Sequence, residues 1–369
     1  MRHAASVLVG GIGIALGVIF LIPFGGRFGL PNYPHTGQAI DLWQLQAVFL
    51  ALLATIAVVV GKDDRALGGA VAFAGLVLFY RGAAMDPTHT VLFAFAALAL
   101  WGCRHASERS RRIVPLVLVA FAAGEALYVL HQATGSDVFF GCAPGACGAF
   151  ARAQTIGSLG TVGSAGAFLA FAIPLAPLGV LPLLVLALLL THSRIALLAA
   201  ACGLVVQYRR AKWTAAVVTP LVLVAFAWAQ VARGAFSAGL SAGARVQVWA
   251  FGLSDVAASA PLTGLGLGGW AQKMYGFAPT KEIFGQAHNE AVQWIAEAGL
   301  IGLGLLVVWC ADHRAMFTHP VWGGSVTALM VDALAWFPFH VVPLALSAIV
   351  ILGLAQRPLS PSDPSPVGA

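Results

Sequence analysis

Apolar residues fill this chain in long runs separated by short polar breaks, a pattern that predicts a helical bundle rather than a sheet. The runs fall at about 5–22, 42–61, 66–81, 88–103, 113–131, 155–173, 178–191, 195–208, 213–231, 289–310, 320–337 and 340–355. A hydrocarbon core of about 30 Å asks for ~20 mostly apolar residues per helix. A segment inside it must satisfy its own backbone hydrogen bonds, so the runs are read as helices. The expected fold is an all-α integral membrane protein of about 12 transmembrane helices, forming one polytopic domain over residues 1–355. A long loop, 232–288, lies between the ninth and tenth spans. Within it Val246, Trp249, Ala250 and Leu253 recur at helical spacing, which predicts an amphipathic helix over 245–259 lying on the membrane surface. No convincing cleavage site follows the apolar run at 7–22, so it is read as a permanent span and not a signal peptide. The Pro/Ser-rich tail, 356–369, is expected to be disordered and cytoplasmic.

Composition excludes the soluble alternative. Of 369 residues 60% are hydrophobic and 9% charged, where soluble domains carry about 25% charged residues. The net charge of +6 comes without a dense basic patch interleaved with aromatics, which excludes nucleic acid as a partner. Placing the N-terminus in the cytoplasm puts the two clustered basic loops, 104–112 and 208–212, inside, as the positive-inside rule requires. The loops around 131–154 and 232–288 then face outward. In the first, Cys142 and Cys147 are spaced for a local disulfide or stand as two free thiols. Cys103, Cys202 and Cys310 lie in or near spans and are read as packing residues.

Chemistry has few places to live in such a chain. The run 264–269 formally contains GxGxxG, but no βαβ unit surrounds it, and it is read as a flexible turn returning the chain to the membrane. His288 stands at the mouth of the tenth span, beside the outer loop, and titrates near neutrality, so it is the candidate general base. Asn289, Gln293 and Glu297 follow at spacing four, a polar stripe that should face a protein interior. Glu290 could orient the His or an acceptor hydroxyl. Arg194, Arg245 and Arg152 fall on the same outer side, and three guanidinium groups there suit a pyrophosphate. Each would otherwise be a headgroup anchor. His340, beside Pro338, is a rival base. Glu125 and Asp332 fall mid-span, where an acid is a functional candidate by default. No metal-binding spacing of His or Cys occurs on the outer side, so no metal and no cofactor is expected.

At these residues the chain resembles the O-antigen ligase and polymerase family, bacterial polytopic glycosyltransferases of the GT-C type. Ser193-Arg194 before an Ala/Leu-rich helix is similar to the family's Ser-Arg-Gly-Ala element, although Ile195 stands where the family has Gly. Arg245 with Trp249, then Pro261 and the 264–269 Gly run, is similar to its Arg…Trp…Pro…Gly-x-Gly element. His288-Asn289 followed by Glu297, Gly299 and Gly302 matches its His-Asn…Glu-x-Gly-x-x-Gly element. The resemblance covers roughly 190–305. The region at 157–163 lacks both Asn residues of an Asn-Pro-Asn-like turn that members often carry. The resemblance implies transfer of a glycan from undecaprenyl pyrophosphate to an acceptor hydroxyl at the periplasmic face of the bacterial inner membrane, without a metal. The acceptor would be a lipid A core sugar for a ligase, in lipopolysaccharide assembly, or another lipid-linked glycan for a polymerase. It implies that Arg194 and Arg245 hold the pyrophosphate, with Arg152 a weaker third, that His288 deprotonates the acceptor, and that Ser193, Asn289, Glu290 and Glu297 support them. Two other classes are weighed against this one. A transporter for a lipid or solute would use Glu125 and Asp332. A non-catalytic scaffold would explain the departures at Ile195 and 157–163.

Overall fold

The computed structural model describes residues 108–135, 155, 157–159, 161–209, 242–266, 269–274, 287–340 and 342–356. The first four expected spans, the ninth at 213–231, Arg152, Cys103, the Cys142 and Cys147 pair and the tail beyond 356 lie outside the described residues. What is described is helical, with no strand among the described residues. The helices are α1 (Glu108–Ala133), α2 (Val162–Ala172), α3 (Leu181–Leu190), α4 (Arg194–Gln207), α5 (Ala242–Ser259), α6 (Gly269–Met274), α7 (Glu290–Asp312), α8 (Gly323–Ala333) and α9 (Val342–Ala355).

Among the described residues, two helical stretches are long and apolar enough to cross a membrane, Arg112–Ala133 and Glu290–Asp312. On α7 the side chains of Leu300, Ile301, Leu305, Val307 and Val308 are exposed, a composition that suits contact with lipid. The expected spans at 178–191 and 195–208 are shorter than a bilayer. At 1.5 Å per residue α3 extends roughly 15 Å and α4 roughly 21 Å. The turn at 191–193 separates them: Thr191 Oγ1 donates to the Leu188 carbonyl at 2.7 Å and accepts from Ser193 N at 3.3 Å. His192 takes the left-handed conformation there, φ 53. A local side-chain bond of this kind competes with helix continuation, and the break falls between the two runs at 178–191 and 195–208, as the sequence predicts.

The main core gathers α1, α2, α3, α4, α8 and α9, with Phe168, Phe171 and Trp322 fully buried. Its closest approach is between α4 and α8. A Cβ at Gly203 would lie 2.7 Å from the Gly324 carbonyl oxygen, and the reverse distance is also 2.7 Å, so neither position tolerates a side chain and the backbones meet directly. Gln207 Nε2 donates to Pro320 O at 2.7 Å and Ser325 Oγ to Phe171 O at 2.7 Å, which fixes the register.

A second, smaller core holds the described part of the 232–288 segment. The helix predicted over 245–259 is α5, but its buried stripe is Val248 and Val256, not Val246 and Ala250, which are exposed. That stripe packs on Trp270 and Met274 of α6 and on Ala287 and Ala296. Gly252 faces the Trp270 ring, where a Cβ would come within 2.4 Å.

The 261–266 segment is not a flexible turn. α7 is broken at Gly299, whose φ 66 and ψ −166 are open to glycine. The break frees backbone groups that a continuous helix would pair. Leu265 N and Gly266 N donate to the Ala296 and Glu297 carbonyls at 2.8 and 2.9 Å, and Leu300 N and Ile301 N donate to the Pro261 and Leu262 carbonyls at 3.0 Å each. Non-helical backbone in a membrane helix is tolerated where protein satisfies it, and here the Gly-rich segment does so. Gly264, at φ 73, lies so close that a Cβ would sit 2.5 Å from the Glu297 carbonyl carbon. Gly299→Ala should therefore destabilise the protein by about 1–3 kcal/mol from backbone strain alone, with a further loss because its Cβ would meet the Leu262 carbonyl at 2.3 Å. Thermal unfolding in detergent should show a clear drop in Tm for Gly299→Ala and none for Gly304→Ala, where a Cβ meets nothing within 4 Å.

Candidate functional site

The site is assembled on a turn that the sequence pattern did not single out. α8 ends at Ala333, and the chain doubles back through residues 334–339, with the Asp332 carbonyl accepting from Ala335 N and Trp336 N at 3.0 and 2.9 Å. Three more of the turn's backbone groups are taken up by three of the predicted residues. Asn289 Nδ2 donates to Leu334 O at 2.8 Å, Arg245 Nη1 to Ala335 O at 3.3 Å, and Phe339 N donates to Glu290 Oε1 at 2.8 Å. One short segment thus ties together α5, the start of α7 and the end of α8.

His288 lies against the same turn. Its ring makes edge contacts with Trp336 and Phe337, at centroid distances of 5.1 and 4.8 Å. Those two rings stack on each other at 4.4 Å. The His288 backbone is left-handed, φ 53, a conformation uncommon outside glycine and met at functional sites. Asn289 explains how it is held. Its extended backbone makes it the N-cap of α7, and its Oδ1 accepts from Val292 N at 3.1 Å while its amide nitrogen reaches Leu334. On the other side Trp249 Nε1 donates to Ala287 O at 2.6 Å, so α5 pins the residue before the His.

His288 Nδ1 is buried without a hydrogen-bond partner. Burial, and then the positive charge of Arg245, push its pKa down to about 4. The imidazole is therefore neutral at physiological pH. Arg245 is half-buried, its Nε lacks a partner, and burial lowers its pKa.

Arg194 opens α4 after the extended Ser193, whose side chain makes no cap bond. Its Nε is likewise buried without a partner. α2 is the wedge between this helix start and the 334–339 turn. Gly166 lies against Ser193, where a Cβ would come within 2.8 Å, and Gly163, one turn earlier, lies against the Trp336 ring at 2.4 Å. Gly163 and Gly166 share a helix face, so the Ser193–Arg194 corner and the His288 cage flank one side of α2.

The polar stripe on α7 is internal as expected. Gln293 and Glu297 are buried, Gln293 Nε2 donates to Glu297 Oε1 at 3.1 Å, and Ala287 N donates to Gln293 Oε1 at 2.9 Å. Their place is beneath His288, holding the backbone that leads into it.

The two acids expected in mid-span separate. Glu125 accepts from Ser158 N at 3.0 Å and from Ser158 Oγ at 2.6 Å, and Gln132, two turns along α1, accepts from Gly157 N at 2.7 Å. Both side chains secure the 157–159 turn. Asp332 belongs to the site: it is fully buried, has no hydrogen-bond partner on either oxygen, and interacts electrostatically with Glu290. The side chain of His340 lies outside what is described. Among the described residues no group of His, Cys, Asp and Glu could hold a metal ion.

The guanidinium groups of Arg194 and Arg245, a neutral imidazole and the broken helix that carries it all fall in one stretch of sequence with a known counterpart. Residues 178–307 match the O-antigen ligase family. The match takes in Arg194, Arg245, His288 and the Gly299 break, so the resemblance read from those residues holds. No curated protein matches the chain. O-antigen ligase family members are bacterial membrane enzymes of glycosyltransferase type, acting in O-antigen ligation or polymerisation. The 334–339 turn lies beyond the matched stretch, and Trp336 and Phe337 were missed in the sequence. The aromatic run Trp336-Phe337-Pro338-Phe339 between two apolar helices was the available signal.

Two outcomes test this geometry. Asn289→Ala removes both the cap of α7 and the tie to Leu334, and should lower stability by about 0.5–2 kcal/mol for the cap alone. The pKa of His288 lies below the ~6.5 of an unfolded histidine. Between pH 6.5 and 4 the unfolded chain therefore binds the extra proton, and stability falls as pH drops through that window. Tm followed over this range should fall more steeply for wild type than for His288→Gln. Parallel curves would show that the ring is not held neutral.

Proposed function

We propose that the protein transfers a glycan from undecaprenyl pyrophosphate to an acceptor hydroxyl at the periplasmic membrane face, as an O-antigen ligase. The observation that carries this reading is the joint anchorage of Arg245 and His288 on the 334–339 turn, which sets a phosphate-binding cation beside a neutral base. In this reading Arg245 and Arg194 neutralise the diphosphate leaving group. The open N-terminus of α4 adds its dipole to Arg194. Arg152 stays a third candidate on sequence grounds. His288 removes the proton of the attacking hydroxyl as the bond from the anomeric carbon to the diphosphate oxygen breaks. Asn289, Glu290, Glu297 and Ser193 position these groups and do not react. No step calls for a metal or cofactor. The donor and acceptor both arrive in a membrane, and the site sits at the mouth of α7, where an apolar carrier and a polar sugar can be held together. The proposed domain is one polytopic unit, with both termini cytoplasmic.

The same chemistry would serve a polymerase, with a second lipid-linked glycan as acceptor. Transport draws less support, because Glu125 is engaged in holding the 157–159 turn. Reconstitution distinguishes these readings. Wild-type protein given an undecaprenyl-pyrophosphate glycan in EDTA should transfer it when lipid A core is present, and His288→Ala should reduce transfer by two orders of magnitude or more while retaining normal expression and Tm. Chain growth without core would make the protein a polymerase. Transfer undiminished in His288→Ala would remove the base.

A further inference from the structure

We propose that the donor switches on the base: His288 takes the acceptor's proton only after an anionic diphosphate has occupied Arg245, so donor binding both precedes and enables deprotonation of the acceptor. This rests on the reading of Arg245 as a diphosphate ligand and adds an order of events to it.

The surroundings of His288 carry the inference. A catalytic histidine is ordinarily oriented by a carboxylate that also stabilises the imidazolium formed in the reaction. Among the described residues His288 has no such partner. Its ring is gripped by the edges of two aromatic side chains and by a left-handed backbone, and Nδ1 is buried without a hydrogen bond. The charged groups on the described elements around it are Arg245 on α5, Arg194 at the start of α4, Glu290 on α7 and Asp332 on α8. Glu290 is engaged by Phe339 N, and the Asp332 carboxyl has no hydrogen-bond partner among the described residues. Arg245 reaches the carbonyl of Ala335, adjacent to the Trp336 whose ring touches His288. An imidazolium would thus arise in a half-dry cage, facing a guanidinium, with no anion bonded to it. Such a charge is costly until a counter-charge arrives.

The missing counter-charge has a natural source. Arg245 and Arg194 each keep a buried Nε–H without an acceptor. A diphosphate that supplied oxygens to those donors would cancel the field that opposes protonation of the ring. In the step that follows, the acceptor oxygen forms a bond to the anomeric carbon, and the bond to the diphosphate oxygen breaks with its electron pair leaving on undecaprenyl diphosphate. The hydroxyl proton passes to His288. The product diphosphate, now more basic, or water takes it back, and the ring returns to its neutral state. With the site empty of donor the ring is a weak proton acceptor, so no hydroxyl is activated there without a glycan to receive.

The test uses the full-length protein in detergent with inorganic pyrophosphate as the probe. Diethyl pyrocarbonate modifies neutral histidine, and mass spectrometry reports the labelling of His288 as a function of pH. Without anion the labelling midpoint should lie near the value of about 4 set by burial and Arg245. Saturating pyrophosphate should raise it by at least one pH unit, a tenfold gain in proton affinity. Arg245→Lys, which keeps the charge, should start as low as wild type and still respond. Arg245→Gln should start higher and not respond. Steric shielding by pyrophosphate would slow labelling at every pH without moving the midpoint, and so would count against the proposal. Calorimetry separates the two ways to fail. Arg245-dependent binding of pyrophosphate with an unmoved midpoint overturns the switch while the diphosphate site stands. Absence of Arg245-dependent binding overturns both.

Discussion

When α8 ends at Ala333, the amides of Leu334, Ala335 and Trp336 still pair with its last carbonyls, but the Leu334 and Ala335 carbonyls and the Phe339 amide have no helix to pair with, and the site is organised around satisfying them. A carbonyl or amide left dry and unpaired costs about 1–3 kcal/mol. Asn289, Arg245 and Glu290 each supply one bond to that turn, at 2.8, 3.3 and 2.8 Å. These bonds come from α5 and from the start of α7, elements far apart in sequence from the turn itself. Their joint requirement fixes where α5 can lie and how α7 must enter. The cage around His288 is a by-product of the same closure, because Trp336 and Phe337 are the turn's own side chains. A polar residue here therefore has two tasks that mutation cannot cleanly separate, and Asn289 and Glu290 are better understood as parts of the frame than as reactive groups.

The break in α7 solves a related problem. A continuous helix through Gly299 would have no free donors or acceptors with which to hold the outer loop. Breaking it exposes two carbonyls and two amides, and the 261–266 segment meets all four. The two glycine patterns that look separate in the sequence, one in the loop and one in the helix, are the two faces of a single backbone contact. Gly264 and Gly299 are needed because a Cβ on either would strike the other strand of that contact. The loop bearing Arg245 is thereby fastened to the helix bearing His288 by main-chain bonds, which are stiffer than side-chain packing and insensitive to what lipid surrounds them.

Much of this was legible in the sequence, and the misses have physical causes. The helices at 113–131, 245–259 and 289–310 were read from hydrophobic spacing and are present as α1, α5 and α7. His288, Arg245 and Arg194 were read from their position beside polar breaks. The break between the runs at 178–191 and 195–208 is present as the turn at 191–193, and periodicity failed there only on length, since α3 spans no more than Leu181–Leu190. It failed again on α5, because a surface helix with apolar residues on several sides offers more than one stripe, and the packing of Trp270 selects Val248 and Val256. The Gly run was misread as flexible because pairing between a loop and a broken helix leaves no periodic trace. The 334–339 turn was passed over for a similar reason. Its contribution is mostly backbone, and backbone groups are the same in every residue.

The contrast between the acids argues against treating every membrane carboxylate alike. Glu125 and Asp332 occupy equivalent positions in a hydropathy plot. Glu125 is surrounded by donors from Ser158, in contact with a glycine whose missing Cβ makes room for it, so its burial is compensated and its work is structural. Asp332 is as deeply buried, and its carboxyl has no donor among the described residues. A group in that condition is stable only if it is neutral or if its partner is absent until turnover. Its neighbour Glu290 is already committed to the turn, so any charge on Asp332 would bear directly on the frame that holds His288. Position in a span identifies an acid as expensive, and the hydrogen bonds around it decide whether that expense serves packing or the site.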